Sequence, residues 1–161
     1  MKCAVLCNGP SRNLFNTPDG YNYLIGCNIP WRQVNASVVI DVNVLERWET
    51  PCPFYVSVDA WRELHKRQRF EPYFLGFVDK FQEHDSSGHA ATRKVIELGY
   101  KEIDIYGCDS WFTEDTESYT HQWIDSRSID SSKQVSIWRK RWTDIIDSNP
   151  DVNINFIGVS K

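Results

Sequence analysis

The chain has no apolar run approaching the roughly 20 residues a membrane-spanning helix needs. Its first residues, Met1-Lys2-Cys3-Ala4-Val5-Leu6-Cys7, carry one basic side chain and a brief apolar stretch. That stretch is too short for a signal peptide and reads as a first strand. No membrane association is therefore expected. Zinc-type cysteine spacing is also missing, and five cysteines is an odd number for a disulfide framework. Cys3, Cys7 and Cys27 lie in or beside apolar strand patterns, where free thiols behave as small hydrophobes. A reduced, cytoplasmic protein is the expectation. Excess basic charge is lacking too: 18 Lys and Arg stand against 22 Asp and Glu, a net charge of −4. This argues against a broad nucleic-acid surface. The short basic run Arg139-Lys140-Arg141 falls in a helical pattern and reads as a solvated face. There is no internal repeat and no GxxxxGK[ST] spacing, so no Walker lysine.

What is present suits one globular domain over 1–161: 161 residues, 41% hydrophobic and 14% aromatic. Strand-like runs occur at Cys3–Cys7, Tyr23–Cys27, Ser37–Val42, Phe54–Val58, Ile103–Tyr106 and Ile154–Val159. Most are continuously apolar, as in strands covered on both faces. Helical patterns fall between several of them, at Val44–Trp48, Asp59–Arg69, Ser87–Leu98 and Ser132–Ser148. Gly99 is positioned to stop the third, and Asn149-Pro150 ends the last. The alternation predicts an α/β fold, a Rossmann-like three-layer sandwich around a mostly parallel central sheet. The polar stretch Asp109–Ser132 also holds Trp111, Phe112, Tyr119 and Trp123. It reads as a polar loop or lid at about 110–131, because long loops in compact domains are commonly functional.

Two distant segments look like halves of one anion site. Asn8-Gly9-Pro10-Ser11 follows the first strand, and Ser86-Ser87-Gly88 opens a helical pattern. Both leave backbone N–H groups at an element junction, where a phosphate is readily held. Either segment also has a plain structural reading, as a turn or a helix cap. Asn28 follows the second strand and carries both a donor and an acceptor for a ribose or base. Asp109 follows a fifth run and could orient a sugar hydroxyl, hold a cation, or bond loop amides. Asp41 is a second carboxylate of the same kind. Among four histidines, His89 and His121 are the candidate general bases. Trp111 and Tyr119 are candidates for stacking on a base or sugar.

In order along the chain, Asn8-Gly9-Pro10-Ser11, Cys27-Asn28, Ser86-Ser87-Gly88, Leu98-Gly99-Tyr100-Lys101-Glu102-Ile103 and Gly107-Cys108-Asp109 resemble the bacterial sialyltransferases of glycosyltransferase family 42. The same skeleton resembles 6-hydroxymethylpterin diphosphokinase-like (DUF115) proteins and small phage proteins. The resemblance runs to about residue 111. It implies a nucleotide fold that takes a CMP-type nucleotide-sugar donor. Asn8, Gly9, Asn28, Ser87 and Gly88 would hold its phosphates and ribose. Asp109–Trp111 would lie near the cytosine and sugar, with Trp111 standing where the family has a tyrosine. Transfer in such enzymes requires no metal and proceeds by direct inversion with a histidine base. Here the stretch matching that histidine, near Ser131–Trp138, contains none, and His121 is the nearest. The acceptor-binding part is expected to be abbreviated.

The expectation is a nucleotide-binding transferase, a reduced glycosyltransferase. Asn8, Gly9, Pro10, Ser11, Asn28, Ser86, Ser87, Gly88 and Trp111 would bind the nucleotide, and His121 and Asp109 would be catalytic. No metal or cofactor is required in this reading. Two alternatives stay open. One is a catalytically inactive module that binds a nucleotide or a protein partner, such as a phage could encode for the host cytoplasm. The other is a diphosphokinase-like enzyme using ATP and magnesium through Asp41 and Asp109.

Overall fold

The computed structural model describes residues 1–29, 34–79, 85–113 and 131–158. Seven strands form a single sheet: β1 (Lys2–Leu6), β2 (Tyr23–Cys27), β3 (Ala36–Val39), β4 (Phe54–Ser57), β5 (Phe74–Val78), β6 (Glu102–Tyr106) and β7 (Asn153–Ile157). Their spatial order is β5-β4-β3-β2-β1-β6-β7, and every pairing is parallel. The fold is α/β and Rossmann-like, with helices on both faces. All six strands expected from the sequence are present.

The seventh, β5, escapes a sequence reading for a physical reason. It is an edge strand with its exposed side chains on alternate residues, Leu75 at 48% and Phe77 at 44%. Gly76 interrupts its apolar run, and its register with β4 shifts between Phe54 and Tyr55. The chain thus gives it neither a continuous apolar run nor a polar alternation.

The helices are α1 (Val42–Glu46), α2 (Val58–Glu63), α3 (Arg67–Phe70), α4 (Ser87–Glu97) and α5 (Ser131–Ser148). The single helix expected over Asp59–Arg69 is broken into α2 and α3. Leu64 leaves the helical region, with φ −69° and ψ 122°, and buries its side chain instead. Helix α4 ends as Gly99 predicts. Gly99 adopts φ +101°, its N–H bonds Ile96 O, and Tyr100 N–H reaches back to Val95 O. That pair of bonds satisfies two terminal carbonyls in the Schellman manner.

One face of the sheet packs against α4 and α5. Cys3, Val5, Ile25, Val38, Ile103 and Ile105 from the strands meet Ala91, Val95, Trp142 and Ile145 from the helices. On the other face, Trp48, Phe54 and Phe70 form an edge-to-face cluster, with Trp48 and Phe54 centroids 5.7 Å apart at 83°. Such pairs add about 1 kcal/mol beyond burial. All five cysteines are free thiols and four are buried. Burial raises the thiol of Cys3 to about 12 and that of Cys108 well above its ordinary value, and the contact with Cys27, followed by burial, raises that of Cys7 in the same direction. No helix among the described residues is long and apolar enough to cross a membrane.

Candidate functional site

The strand order reverses direction at β1. The chain moves outward through β2, β3, β4 and β5, then returns to the opposite side of β1 with β6. In open parallel sheets, the crevice beyond the carboxyl ends of the strands at such a reversal is where ligands sit. Asn8–Ser11 leaves the end of β1, Asn28 the end of β2, and Gly107–Trp111 the end of β6. The three segments therefore share one edge, and the start of α4 joins them there.

The junction of β1 and β6 is very tight. Cys7 N–H bonds Tyr106 O at 2.8 Å, and Gly9 N–H bonds Gly107 O at 2.7 Å. A Cβ on Gly9 would lie 2.5 Å from Asp109 Oδ2 and 2.6 Å from Gly107 O. Gly107 has φ +77°, and a Cβ there would lie 2.4 Å from Cys7 O. Side-chain bonds reinforce the contact. Ser11 N–H donates to Asp109 Oδ2 at 2.9 Å and Oδ1 at 3.1 Å, and the Ser11 hydroxyl accepts from Gly107 N–H at 3.1 Å.

These bonds revise the expected role of the first turn. The Gly9 and Ser11 amides are engaged within the protein, and Pro10 has no N–H. The turn is a structural clasp at the strand reversal. Of the three roles open to Asp109, this structure places its carboxylate on a loop amide. Asp41 likewise caps α1, accepting from Asn43 N–H at 2.8 Å. Among the described residues, no group of three or more His, Cys, Asp or Glu is arranged to hold a metal ion.

The second of the two segments opens α4. Asn28 occupies the left-handed region at φ +64°, a conformation Asn tolerates better than most residues. Three bonds fix it. Its N–H reaches Val38 O at 2.9 Å, its carbonyl accepts from buried Trp48 Nε1–H at 2.6 Å, and its side-chain Oδ1 accepts from the Ser87 hydroxyl at 2.6 Å. With Oδ1 so engaged, Asn28 presents its Nδ2 amino group as a donor. Ser87 and Gly88 are the first two residues of α4, so neither amide has an intrahelical acceptor. Gly88 packs closely on the residue that follows β1, where a Cβ would lie 2.8 Å from Cys7 Sγ.

Ser86 is the N-cap of α4, and it pairs with His89 in a reciprocal box. The Ser86 hydroxyl accepts from His89 N–H, and Ser86 N–H donates to His89 Nδ1 at 3.1 Å. His89 Nε2 lies 3.1 Å from Trp138 O, so Nε2 carries the proton and donates. Burial lowers the His89 pKa to about 4, despite the opposing charge of Asp85. Both ring nitrogens are committed and the ring is wholly buried. His89 is therefore a capping residue of α4, not a base facing a substrate.

Trp111 is half-buried and stacks on Phe156, with centroids 4.3 Å apart at 13°. One ring face thus serves packing. Arg139, expected to be solvated, instead donates to Ser110 O at 2.7 Å and Thr113 O at 2.9 Å, tying α5 to the segment after β6. His121 and the central part of the expected lid lie outside the described residues.

Two contributors have no motif in the sequence. Trp48, on the far side of α1, holds the Asn28 backbone. Arg12, inside the turn after Ser11, is 8% exposed and donates through Nη1 to Asn8 Oδ1 at 2.9 Å. Asn8 Nδ2 in turn donates to Cys27 O at 2.6 Å, so the ends of β1 and β2 are linked through this side chain. The only hint in the sequence is that Arg12 is a lone cation just after a Gly-Pro turn.

No protein-family model matches the chain, and no curated protein matches it. Among solved structures, a point mutant of the alpha-2,3/8-sialyltransferase CstII has a similar fold. The TM-score is 0.57 at 13% sequence identity, and the match covers 97% of this chain and 81% of that one. At that identity the likeness is one of fold.

Proposed function

We propose that this chain is a nucleotide-binding transferase of the glycosyltransferase type, using a nucleotide-sugar donor. The observation that carries the reading is the bond between Ser87 and Asn28, which joins the start of α4 to the end of β2 at the strand reversal. The fold likeness to a sialyltransferase supports it. In this reading the Ser87 and Gly88 amides, the Asn28 amino group and the dipole of α4 receive the donor's phosphate. Donors fixed before the ligand arrives stabilise the negative charge that grows on the leaving nucleotide, and they need no reorganisation as it forms. His121 is proposed as the base for the acceptor hydroxyl, and Asp109 as the residue that shapes the floor beneath it.

The test is a thermal-shift screen with CMP, CDP, UDP and ATP at millimolar concentration, with and without magnesium. A ligand that binds the folded state must raise its apparent stability. Stabilisation by a cytidine nucleotide without magnesium is expected. The absence of stabilisation by any nucleotide overturns the reading. Donor turnover then separates an enzyme from a binding module: loss of turnover in His121→Ala with unchanged nucleotide affinity is the expected result. A magnesium-dependent response to ATP alone would favour the diphosphokinase alternative.

A further inference from the structure

We propose that the β5 edge of the sheet is a self-association surface, at which two copies of this chain meet about a two-fold axis. The inference stands apart from the nucleotide reading, since β5 lies four strands away from β1 and its reversal. β5 ends the sheet, and among the described residues no strand pairs with its outer side. The backbone groups on such a side are a template for another strand, and native edges are blunted by charged residues, proline or bulges. At the opposite edge, β7 exposes Asn153 and Asn155. Phe74-Leu75-Gly76-Phe77-Val78 has no charged residue and no proline. Its one irregularity, the register shift that skips Leu75, leaves an apolar side chain exposed at the kink. Phe77 is exposed as well, Tyr73 is exposed just before the strand, and exposed Val58 follows Ser57, the β4 partner of Val78. Four of the seven large apolar side chains exposed among the described residues thus gather at this edge, and a gathering of that kind marks an interaction site.

Symmetry and charge make a second copy the occupant. A two-fold axis perpendicular to the sheet runs β5 antiparallel to its own copy. Leu75 and Phe77 flank Gly76, so an axis near Gly76 brings Leu75 of each copy towards Phe77 of the other. Phe77 is backed by an aromatic row: its ring meets Phe74 edge to face at 5.1 Å, and Phe74 stacks on Trp61 at 4.8 Å. Charge is polarised along the strand. The chain enters β5 past exposed Lys66, Arg67 and Arg69, with Glu71 the one acidic residue among them, and leaves it at exposed Asp79. Exposed Asp59 stands two residues after Ser57, at the same end as Asp79. An antiparallel pairing sets the basic end of each copy against the acidic end of the other, which favours this arrangement and fixes its register.

The experiment is sedimentation velocity on the full chain across a micromolar concentration series, at low and at high salt. A dimer that dissociates on dilution, and more readily in high salt, is expected. Leu75→Lys should weaken association by at least about tenfold, because a two-fold contact uses each side chain twice. Asp79→Arg should weaken it too, by setting like charges together at both ends. Leu98→Lys replaces a comparably exposed leucine away from this edge and should leave association unchanged. Circular dichroism checks that each variant is folded. Should Leu75→Lys not fold, Asp79→Arg, at an exposed position after the strand, carries the test. A monomer at every concentration overturns the proposal. So does a dimer that Leu75→Lys or Asp79→Arg leaves intact, or one that Leu98→Lys weakens as much. None of these outcomes bears on nucleotide binding, which the thermal-shift screen decides separately.

Discussion

The Ser87 hydroxyl donates to the Asn28 side-chain oxygen at 2.6 Å, although 59 positions separate the two residues. That bond commits the Asn28 side-chain oxygen and leaves its amino group as the donor end of the amide. It ties the turn after β2 to the start of α4. Ser87→Ala removes the bond and leaves Asn28 free to rotate. The neutral hydrogen bond is worth about 1 kcal/mol. Stability should fall by about that amount in urea titration, and affinity for a cytidine nucleotide should fall about fivefold. Unchanged affinity in calorimetry would mean that the Asn28 orientation does not matter to the ligand.

Gly107 and Gly20 have similar backbone angles, φ +77° and +88°, in different surroundings. A Cβ on Gly107 meets Cys7 O at 2.4 Å, whereas one on Gly20 meets nothing within 4 Å. Gly20→Ala therefore carries only the left-handed penalty, about 1 kcal/mol. Gly107→Ala adds a backbone overlap that only a separation of β1 from β6 relieves, and it should cost at least about 3 kcal/mol. Chemical denaturation of the two variants side by side checks the contrast. Equal losses would show that the clasp yields easily.

Acidity should destabilise the fold through His89. In the folded protein its pKa is lowered to about 4, against 6.5 for the free side chain. Between these values the unfolded chain binds a proton that the folded chain does not, so stability rises with pH there. The His89 contribution is fully present above pH 6.5 and is lost as pH falls towards about 4. It amounts to about 3 kcal/mol at most. Unfolding free energies measured between pH 4 and 7 should slope more steeply in wild type than in His89→Gln, which cannot titrate. Parallel slopes would place the acid sensitivity elsewhere.

Much of the scaffold was legible along the chain because it depends on local chemistry. Continuous apolar runs such as Ala4–Leu6 and Val38–Ile40 mark strands covered on both sides, and Gly99 marks a helix stop. The break at Leu64 was not legible, since it reflects a buried site that the side chain reaches only in the folded molecule. The placement of Asn8, Asn28, Ser87 and Asp109 at one sheet edge followed from their positions after strands and before a helix. Their partners did not. Whether Ser11 N–H faces a ligand or Asp109, and whether His89 faces solvent or caps α4, depends on residues up to 98 positions away.

The sequence by itself determined the parallel α/β architecture and the edge at which the Gly, Ser and Asn turns gather. Strand periodicity and turn chemistry act over only a few residues, so they can be read from the chain. Only the tertiary structure decided which polar groups at that edge are spent on one another and which stay available. Hydrogen bonds are short and directional, and each donor or acceptor is committed by whatever the fold brings within about 3 Å of it. Arg12 and Trp48 belong to the site on that ground alone.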